Sequence, residues 1–420
     1  MMGTEVTEAS RTSLPLLAAQ MGVWVAQKLE PASLMFNVNQ YADIDGSLDV
    51  DVFGSALRQV LAETEALRIK IVEQKGEVRQ ELTSDSDWTL TYLDLAGEAD
   101  PVGKAQQWMR AEMTRSFDLT TGPLFTWALL KISDRRYFWY QRCHHIVMDG
   151  YSCGLVAQRV AEVYTALTRS EPCRETRFKS ITRLLDDERE YRSSPQREHD
   201  RAFWSRQPAA DAAPLLLAGR SAAPADVPLR ETACLAKETV TDICTAAGLG
   251  QSAWPGVVLA LSGAYFAKLT GQEAVTLELP VTSRATAVQR YTPSMLSNIL
   301  PLTVRVRPGA GIAEVLADVS SSVRGLLQRQ RYRQEDLHSD LGRAGGQRTF
   351  GPTINIMSFN YDLDFAGQRA VAHPLTNGPV GDLAITVTQD RGGAGGSGPA
   401  GGPGGGPGRG RAASGARAVE

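Results

Sequence analysis

The heptapeptide HHIVMDG occupies residues 144–150 and follows a strongly apolar segment of the chain. Adjacent histidines stand out in a sequence that has 5 histidines among 420 residues. Imidazole is well suited to accept a proton near neutral pH, and a carboxylate four residues later can orient the ring or anchor the loop. The heptapeptide therefore predicts a catalytic loop built around His145 and Asp149.

The segments on either side of the heptapeptide predict a strand, a loop and a helix in that order. Aromatic residues dominate 137–142, and apolar residues recur at helical spacing between Leu155 and Leu167. This order places His145 at the open end of a sheet. Gly150 is expected to permit a sharp exit into the helix, and Ser152 is expected to cap that helix or to line a substrate channel.

Helical and strand patterns alternate along the chain to about residue 390, and they include helices over 52–65 and 254–269 and a hairpin that turns at Gln74, Lys75 and Gly76. They predict a mixed α/β architecture with an N-terminal lobe over 1–180 and a C-terminal lobe over 181–390. The segment 391–420 consists almost entirely of Gly, Ala, Pro, Ser and Arg. Such a composition cannot bury enough apolar surface to order itself, so a disordered tail is predicted there.

Composition narrows the class of protein further. The net charge of −3 gives no overall attraction to nucleic acid or to an anionic membrane. No apolar run approaches the ~18 residues of a membrane span, and the first residues lack a signal-peptide pattern, so a cytoplasmic protein is expected. None of the 5 cysteines forms a C-x-x-C pair, and no cluster of ligands predicts a metal site.

A serine hydrolase is one alternative that the sequence leaves open. The pentapeptide GYSCG at residues 150–154 matches G-x-S-x-G and lies between a predicted strand and a predicted helix. The nucleophile Ser152 would need a histidine later in the chain, and His199, His338 and His373 are available. None of the three lies in a recognisable motif, so the hydrolase is disfavoured.

The heptapeptide resembles the H-H-x-x-x-D-G signature of the chloramphenicol acetyltransferase-like superfamily. Four further segments resemble motifs of one branch, the condensation domains of nonribosomal peptide synthetases, and they run in family order from about residue 14 to 389. Thr64 and Arg329 stand where that family usually has histidine. The segments are 14–24 (opening motif), 64–68 (H-E-x-L-R), 297–302 (V-N-x-L-P) and 329–332 (H-Q-x-Y).

Within that branch the chain most resembles the first domain of enterobactin-type, serine-activating synthetases. Residues 139–142, 350–352 and 378–380 carry this second resemblance. It implies an aryl acid donor that arrives on a separate carrier protein.

The family resemblance implies a fold, a reaction and partners. Two chloramphenicol-acetyltransferase-like lobes form a V with a central tunnel, and donor and acceptor carrier proteins insert phosphopantetheine arms into it. The amine on the acceptor attacks the donor thioester, which gives an amide in nonribosomal peptide or siderophore biosynthesis. We expect no intrinsically bound cofactor, no metal, no nucleic-acid or membrane partner, and a monomer.

The resemblance also implies a role for individual residues. His145 is the catalytic histidine, acting as a base or by positioning the amine, while His144 and Gly150 shape the loop. Asp149 is structural and pairs with Arg284 from the second lobe. Three further residues are expected to line the tunnel or contact substrate: Gln20, Ser152 and Asn298.

Two other functions remain open at this point. An acyl-CoA-dependent acyltransferase would use free CoA thioesters, which the order of the condensation motifs disfavours. An inactive, truncated condensation domain would serve only in carrier docking. The family normally continues past the strand at Leu383 with another strand and a closing helix, whereas this sequence becomes rich in Gly and Pro.

Overall fold

A computed structural model of the chain describes residues 13–83, 88–207, 215–216, 229–246, 248–250, 253–342, 350–357, 363–389 and 415–419. Its strands are β1 (Ser13–Pro15), β2 (Asn37–Asp45), β3 (Ile69–Gln74), β4 (Glu77–Leu82), β5 (Thr91–Asp94), β6 (Phe125–Ser133), β7 (Arg136–His144), β8 (Thr232–Ala236), β9 (Ala274–Val281), β10 (Asn298–Arg305), β11 (Thr353–Met357), β12 (Leu363–Phe365), β13 (Gln368–Asn377), β14 (Ala384–Gln389) and β15 (Gly415–Val419). Its helices are α1 (Ala18–Leu29), α2 (Val50–Glu63), α3 (Pro101–Met113), α4 (Gly150–Thr168), α5 (Ile181–Arg192), α6 (Pro195–Trp204), α7 (Lys237–Ala246), α8 (Trp254–Thr270), α9 (Ala287–Tyr291), α10 (Ile312–Leu327) and α11 (Gln334–Asp340).

The predicted mixed α/β class is confirmed, and the chain divides into two compact units. The first unit comprises the described residues of Met1–Ser194, Arg284–Ser297 and Asn360–Pro379. The second unit comprises those of Pro195–Ser283, Asn298–Phe359 and Val380–Glu420. The V arrangement with a central tunnel stays a prediction.

These units differ from the contiguous lobes that the sequence predicts, which meet at residues 180 and 181. Helix α5 belongs to the first unit because Ile181, Leu184 and Leu185 are buried in that unit's core. The segment Arg284–Ser297 joins the same core through Met295 and Leu296. The chain therefore crosses between the units several times.

The first unit is built on a six-stranded sheet in the order β12-β13-β2-β7-β6-β5. Its strand β7 is buried from Tyr137 to His144 because both faces of the sheet are covered. Trp139 packs on Phe53 of α2 on one face, and Tyr140 packs on Trp108 of α3 on the other. The two helices thereby fix β7, which carries the heptapeptide at its end.

A second, three-stranded sheet in this unit has the order β1-β4-β3. Strands β3 and β4 form the hairpin that the sequence predicts around Gln74, Lys75 and Gly76. Lys75 and Gly76 have φ angles of 53° and 83°, the left-handed conformation that a two-residue hairpin turn requires.

The second unit contains a six-stranded sheet in the order β10-β9-β11-β14-β15-β8. Strands β9 and β10 pair antiparallel over eight residues each, whereas β11 and β14 pair parallel. The apolar helix predicted at Trp254–Leu269 is confirmed as α8, and it packs with α10 over this sheet through Val257, Phe266 and Leu316. This unit thus has a core of its own.

The structure differs from the sequence prediction within the segment 391–420. Residues 390–414 and Glu420 lie outside the described residues, whereas Gly415–Val419 forms strand β15 between β14 and β8. Strand pairing uses backbone groups, which every residue other than proline supplies, so an apolar composition is not required for it. Among the described helices, none is long and apolar enough to cross a membrane.

Candidate active site

The heptapeptide begins at the last residue of β7 and is fixed by backbone hydrogen bonds from two neighbouring segments. The amide of His144 donates to the carbonyl of Leu124 at 2.9 Å, and the amide of His145 donates to the carbonyl of Phe36 at 2.7 Å. The chain then turns through 145–147 and enters α4 at Gly150. The predicted order of strand, loop and helix is therefore confirmed.

His144 is buried, and both of its ring nitrogens are bonded within the protein. Nδ1 accepts from the amide of Ile146 at 3.2 Å, which leaves the proton on Nε2, 3.1 Å from Oε1 of Gln27. Burial lowers the pKa of His144 to about 3, with a further contribution from the neighbouring His145. His144 is thus a neutral ring that holds the turn, and its side chain is not offered to substrate.

His145 differs from its neighbour in exposure and in bonding. The residue is partly exposed, whereas its ring nitrogen Nδ1 is enclosed without a hydrogen-bond partner in the described part of the chain. Burial of the ring lowers the pKa of His145, although the negative charge of Asp149 and nearby backbone carbonyls oppose that change. The imidazole is therefore neutral at physiological pH and available as a proton or hydrogen-bond acceptor.

Asp149 is buried and forms the predicted ion pair with Arg284, with a distance of 2.7 Å between Oδ2 and an Arg284 guanidinium nitrogen. Its Oδ1 accepts from the amide of Ser152, and its Oδ2 accepts from the amides of Leu296 and Ser297 at 3.0 and 2.9 Å. Burial alone would raise the pKa of Asp149, but the charge and hydrogen bonds of Arg284 outweigh it and the pKa falls. Both carboxylate oxygens of Asp149 are thus bonded within the protein, and the structural role that the resemblance implies stays a prediction.

Arg284 lies in a different unit from the one that the resemblance assigns to it. The segment that it begins is part of the first unit, so the ion pair forms within one unit. Its guanidinium also donates to Oγ of Ser152 at 2.7 Å and stacks 4.5 Å from the ring of Tyr151. Arg284 therefore ties the segment 284–297 to the first turn of α4.

Ser152 corrects two predictions made from the sequence. It does not cap α4, because Asp149 is the N-cap. Its side chain is fully buried, and Oγ donates to the carbonyl of Ser294 while accepting from the Ser294 amide. A hydroxyl enclosed in this way cannot attack a substrate or line a channel, so the structure also disfavours the serine hydrolase.

Gly150 is the first residue of α4 and does not adopt a positive φ. The sharp exit predicted from this glycine is instead produced by the Asp149 side chain, which accepts the amide of Ser152 and starts the helix. Gly150 remains next to the catalytic loop, but its backbone conformation is an ordinary helical one.

Gln20 and Asn298 are structural residues rather than the tunnel-lining residues predicted from the sequence. Gln20 is fully buried and donates from Nε2 to the carbonyl of Ile146 at 3.2 Å, which joins α1 to the heptapeptide. Asn298 lies in the second unit, where its side chain donates to the carbonyls of Gln330 and Tyr332. Neither amide group has an open face for a ligand.

Sequence reasoning missed the groups that brace the catalytic loop. The amides of Leu296 and Ser297 act through the backbone and leave no side-chain signal in the sequence. Gln27 lies on α1, distant in sequence from His144, and nothing local to it indicates the contact.

The arrangement leaves one imidazole for chemistry. Of the three ionisable side chains in the heptapeptide, His144 and Asp149 have their polar atoms bonded within the protein, whereas His145 is neutral and partly exposed. No group of His, Cys, Asp and Glu in the described residues can hold a metal ion. The fold thus places a neutral imidazole at the end of a strand, in a loop whose other ionisable groups are bonded within the protein.

Comparison with known proteins assigns the family. The sequence model of the condensation domain matches residues 10–387, and the chain belongs to this family, whose members are amide-forming acyltransferases of nonribosomal peptide synthetases.

Curated relatives support the assignment. The chain is 42% identical over 385 residues to an isonitrile lipopeptide synthase of Streptomyces coeruleorubidus, covering 91% of the chain and 26% of that protein. It is 31% identical to enterobactin synthase component F of Escherichia coli O157:H7, covering 90% of the chain and 30% of that protein. The chain thus spans less than a third of the length of these relatives.

Solved structures agree with this result. A mutant of the starter condensation domain of rhizomide synthetase, in complex with C8-CoA and Leu-SNAC, is 40% identical with a TM-score of 0.84, over 90% of this chain and 85% of that one. The first condensation domain of the CDA synthetase is 31% identical with a TM-score of 0.84, over 97% of this chain and 90% of that one.

Proposed function

We propose that the chain joins an acyl or aryl thioester to the amine of an aminoacyl thioester, both delivered on the phosphopantetheine arms of carrier proteins. The observation that carries the proposal is His145. It is a partly exposed residue with a neutral imidazole, in a loop whose other ionisable groups are bonded inside the protein. The carrier proteins and their arms are substrates, and each arm presents its acyl or aminoacyl group as a thioester.

In the proposed reaction, the amine nitrogen of the acceptor attacks the carbonyl carbon of the donor thioester. The C–N bond forms as the C–S bond breaks, and the donor arm leaves as a thiolate. Nε2 of His145 holds the amine N–H and takes its proton, which then passes to the thiolate and gives a free thiol. Holding the two reactants together supplies much of the acceleration, and proton transfer to a positioned base adds about 10²–10⁴-fold.

Supporting residues act through the loop rather than on the substrate. His144 holds the turn, and Asp149 with Arg284 fixes the start of α4. We propose that these residues, together with Gly150, determine where His145 lies. The enclosed Nδ1 of His145 leaves Nε2 as the nitrogen that meets the amine.

The donor is a pantetheine thioester, and two sources share that chemistry. The family context and the enterobactin-type relatives favour a donor on a carrier protein. A rhizomide synthetase starter domain, 40% identical, has been crystallised with C8-CoA, which favours free acyl-CoA as a second candidate. The same loop serves either donor because His145 acts on the amine.

An intact-mass assay separates these donors. The chain is mixed with a seryl-loaded acceptor carrier and with a 2,3-dihydroxybenzoyl-loaded carrier, an octanoyl-loaded carrier or octanoyl-CoA. Amide on the acceptor carrier from a loaded donor carrier supports the proposal, and amide from octanoyl-CoA alone supports the second candidate. Absence of amide from folded protein across all three donors contradicts both.

A further inference from the structure

Gly378 brings its backbone close to the His145 ring. It directly follows β13, and its φ of +101° lies in the left-handed region that side chains of L-residues rarely adopt. A Cβ on Gly378 would lie 3.1 Å from Cδ2 and 3.4 Å from Nε2 of His145. The ring edge that carries Nε2 therefore faces a residue that has no side chain.

The sheet of the first unit fixes this approach. Strand β13 pairs with β2, and β2 pairs with β7, so the ends of β13 and β7 are joined through one intervening strand. Oγ1 of Thr376 donates to the carbonyl of Asn37 at 2.7 Å and accepts from Nδ2 of Asn39 at 2.7 Å. These bonds hold the end of β13, just before Gly378, against β2, which pairs in turn with the strand that leads to the catalytic loop.

We propose that Gly378 is a positioning residue, and that its missing side chain keeps the Nε2 edge of His145 open to the acceptor amine. The inference rests on the proposed function, because it assigns the space beside His145 to the amine. A methyl group at this position would sit closer to the ring than ordinary van der Waals contact. The ring would have to move by a few tenths of an ångström, and the space for the amine would shrink.

A shift of this size matters because the reaction depends on alignment. Misplacement of a catalytic group by about 1 Å costs on the order of 10²-fold in rate. We therefore expect Gly378→Ala to lower the turnover number by at least about 10-fold. The KM for the donor should change little, since the substitution leaves the donor thioester untouched.

The chain offers a matched control at the opposite end of the same strand. Gly367 directly precedes β13 and has a φ of +98°, nearly the same as that of Gly378. A Cβ on Gly367 would meet no atom of the described residues within 4 Å. Gly367→Ala therefore introduces the same backbone strain without approaching His145.

The experiment compares three single variants, Gly378→Ala, Gly367→Ala and His145→Ala. It also includes the double variant that combines Gly378→Ala with His145→Ala. Amide formation is followed by intact mass, and melting temperatures are measured in parallel. We expect similar melting temperatures for the two glycine variants. Of these two, only Gly378→Ala should lose turnover. Adding Gly378→Ala to His145→Ala should cause no loss of turnover beyond that of His145→Ala.

The outcomes keep this inference separate from the proposed function. Equal turnover in the two glycine variants, with an active wild-type chain, overturns the role of Gly378 and leaves the proposed function intact. A further loss in the double variant shows that Gly378 acts independently of His145 and also overturns the inference. A wild-type chain that forms no amide with any donor contradicts the proposed function itself.

Discussion

The two adjacent histidines differ in hydrogen bonding and exposure because their surroundings differ. His144 has both ring nitrogens bonded inside the protein, whereas His145 is partly exposed and neutral. His144 therefore holds the turn, and we propose that His145 meets the acceptor amine.

Burial of His144 makes stability depend on pH. The folded chain binds no proton at this ring until about pH 3, whereas the unfolded chain binds one below about 6.5. The free energy of unfolding should therefore fall as the pH drops from about 6.5 toward about 3, by about 2 kcal/mol at about pH 5. Urea denaturation at several pH values measures this slope.

Two variants isolate the contribution of His144. His144→Gln should flatten the slope between about pH 7 and about pH 5. His199→Gln removes an exposed histidine of α6 and should leave the slope unchanged. Parallel slopes in wild-type chain and His144→Gln would contradict the assignment of a buried, neutral ring.

The buried pair of Asp149 and Arg284 predicts a large loss of stability when either partner is removed. A buried ion pair that loses one partner leaves an uncompensated charge, which costs about 3–5 kcal/mol. We expect this loss in the free energy of unfolding for Asp149→Ala, and a less than additive loss when Arg284→Ala is combined with it. Asp186→Ala is the control, because its pair with Arg189 is exposed and contributes about 0–1 kcal/mol. A loss in Asp149→Ala as small as the control's would refute the structural role.

At the scale of elements, Asn298 joins β10 to the segment that leads into α11. Its Oδ1 accepts from the amides of Ile299 and Gln334, in addition to the two bonds that Nδ2 donates. Asn298→Ala should lower stability by about 1–3 kcal/mol, because it strands buried groups that have lost their partner. Hydrogen exchange should accelerate at Gln334, with amides of β7 in the first unit as the internal reference. Unchanged exchange at Gln334 would favour the tunnel-lining role instead.

The strands of the first unit show which elements can be predicted from the sequence alone and which cannot. Periodicity and turn residues predicted the helices α2 and α8, the β3–β4 hairpin and the strand–loop–helix order around the heptapeptide, because each signal is local. Strand β2, NVNQYADID, lies in the middle of the sheet yet was missed. Its polar residues are buried because neighbouring strands pair with it on both sides. Alternation of polar and apolar residues within the segment does not reveal this burial.

The same limit applies to the site. The heptapeptide predicted His145 and Asp149 from their residue types and spacing, and the family resemblance supplied Arg284 as the partner of Asp149. Gly378 is 233 positions after His145 in the sequence, and the two residues meet only because β13 and β7 flank β2. Gln20 and Ser152 lie near the loop, as the sequence predicted, but their hydrogen bonds show that they support the structure.

At the scale of the whole molecule, the chain is a condensation domain with two separately packed units. It spans 26% and 30% of the length of two of its curated relatives. The proposed reaction needs two loaded arms at once, and in our proposal its proton transfer depends on His145.

The most direct test of this account is single-turnover amide formation with both carriers loaded, followed by rapid quenching and intact mass. We predict that His145→Ala lowers the rate by about 10²-fold or more while its melting temperature stays near that of the wild-type chain. His199→Ala, at an exposed position, should keep the wild-type rate. A folded His145→Ala variant that forms amide at the wild-type rate would contradict the central claim.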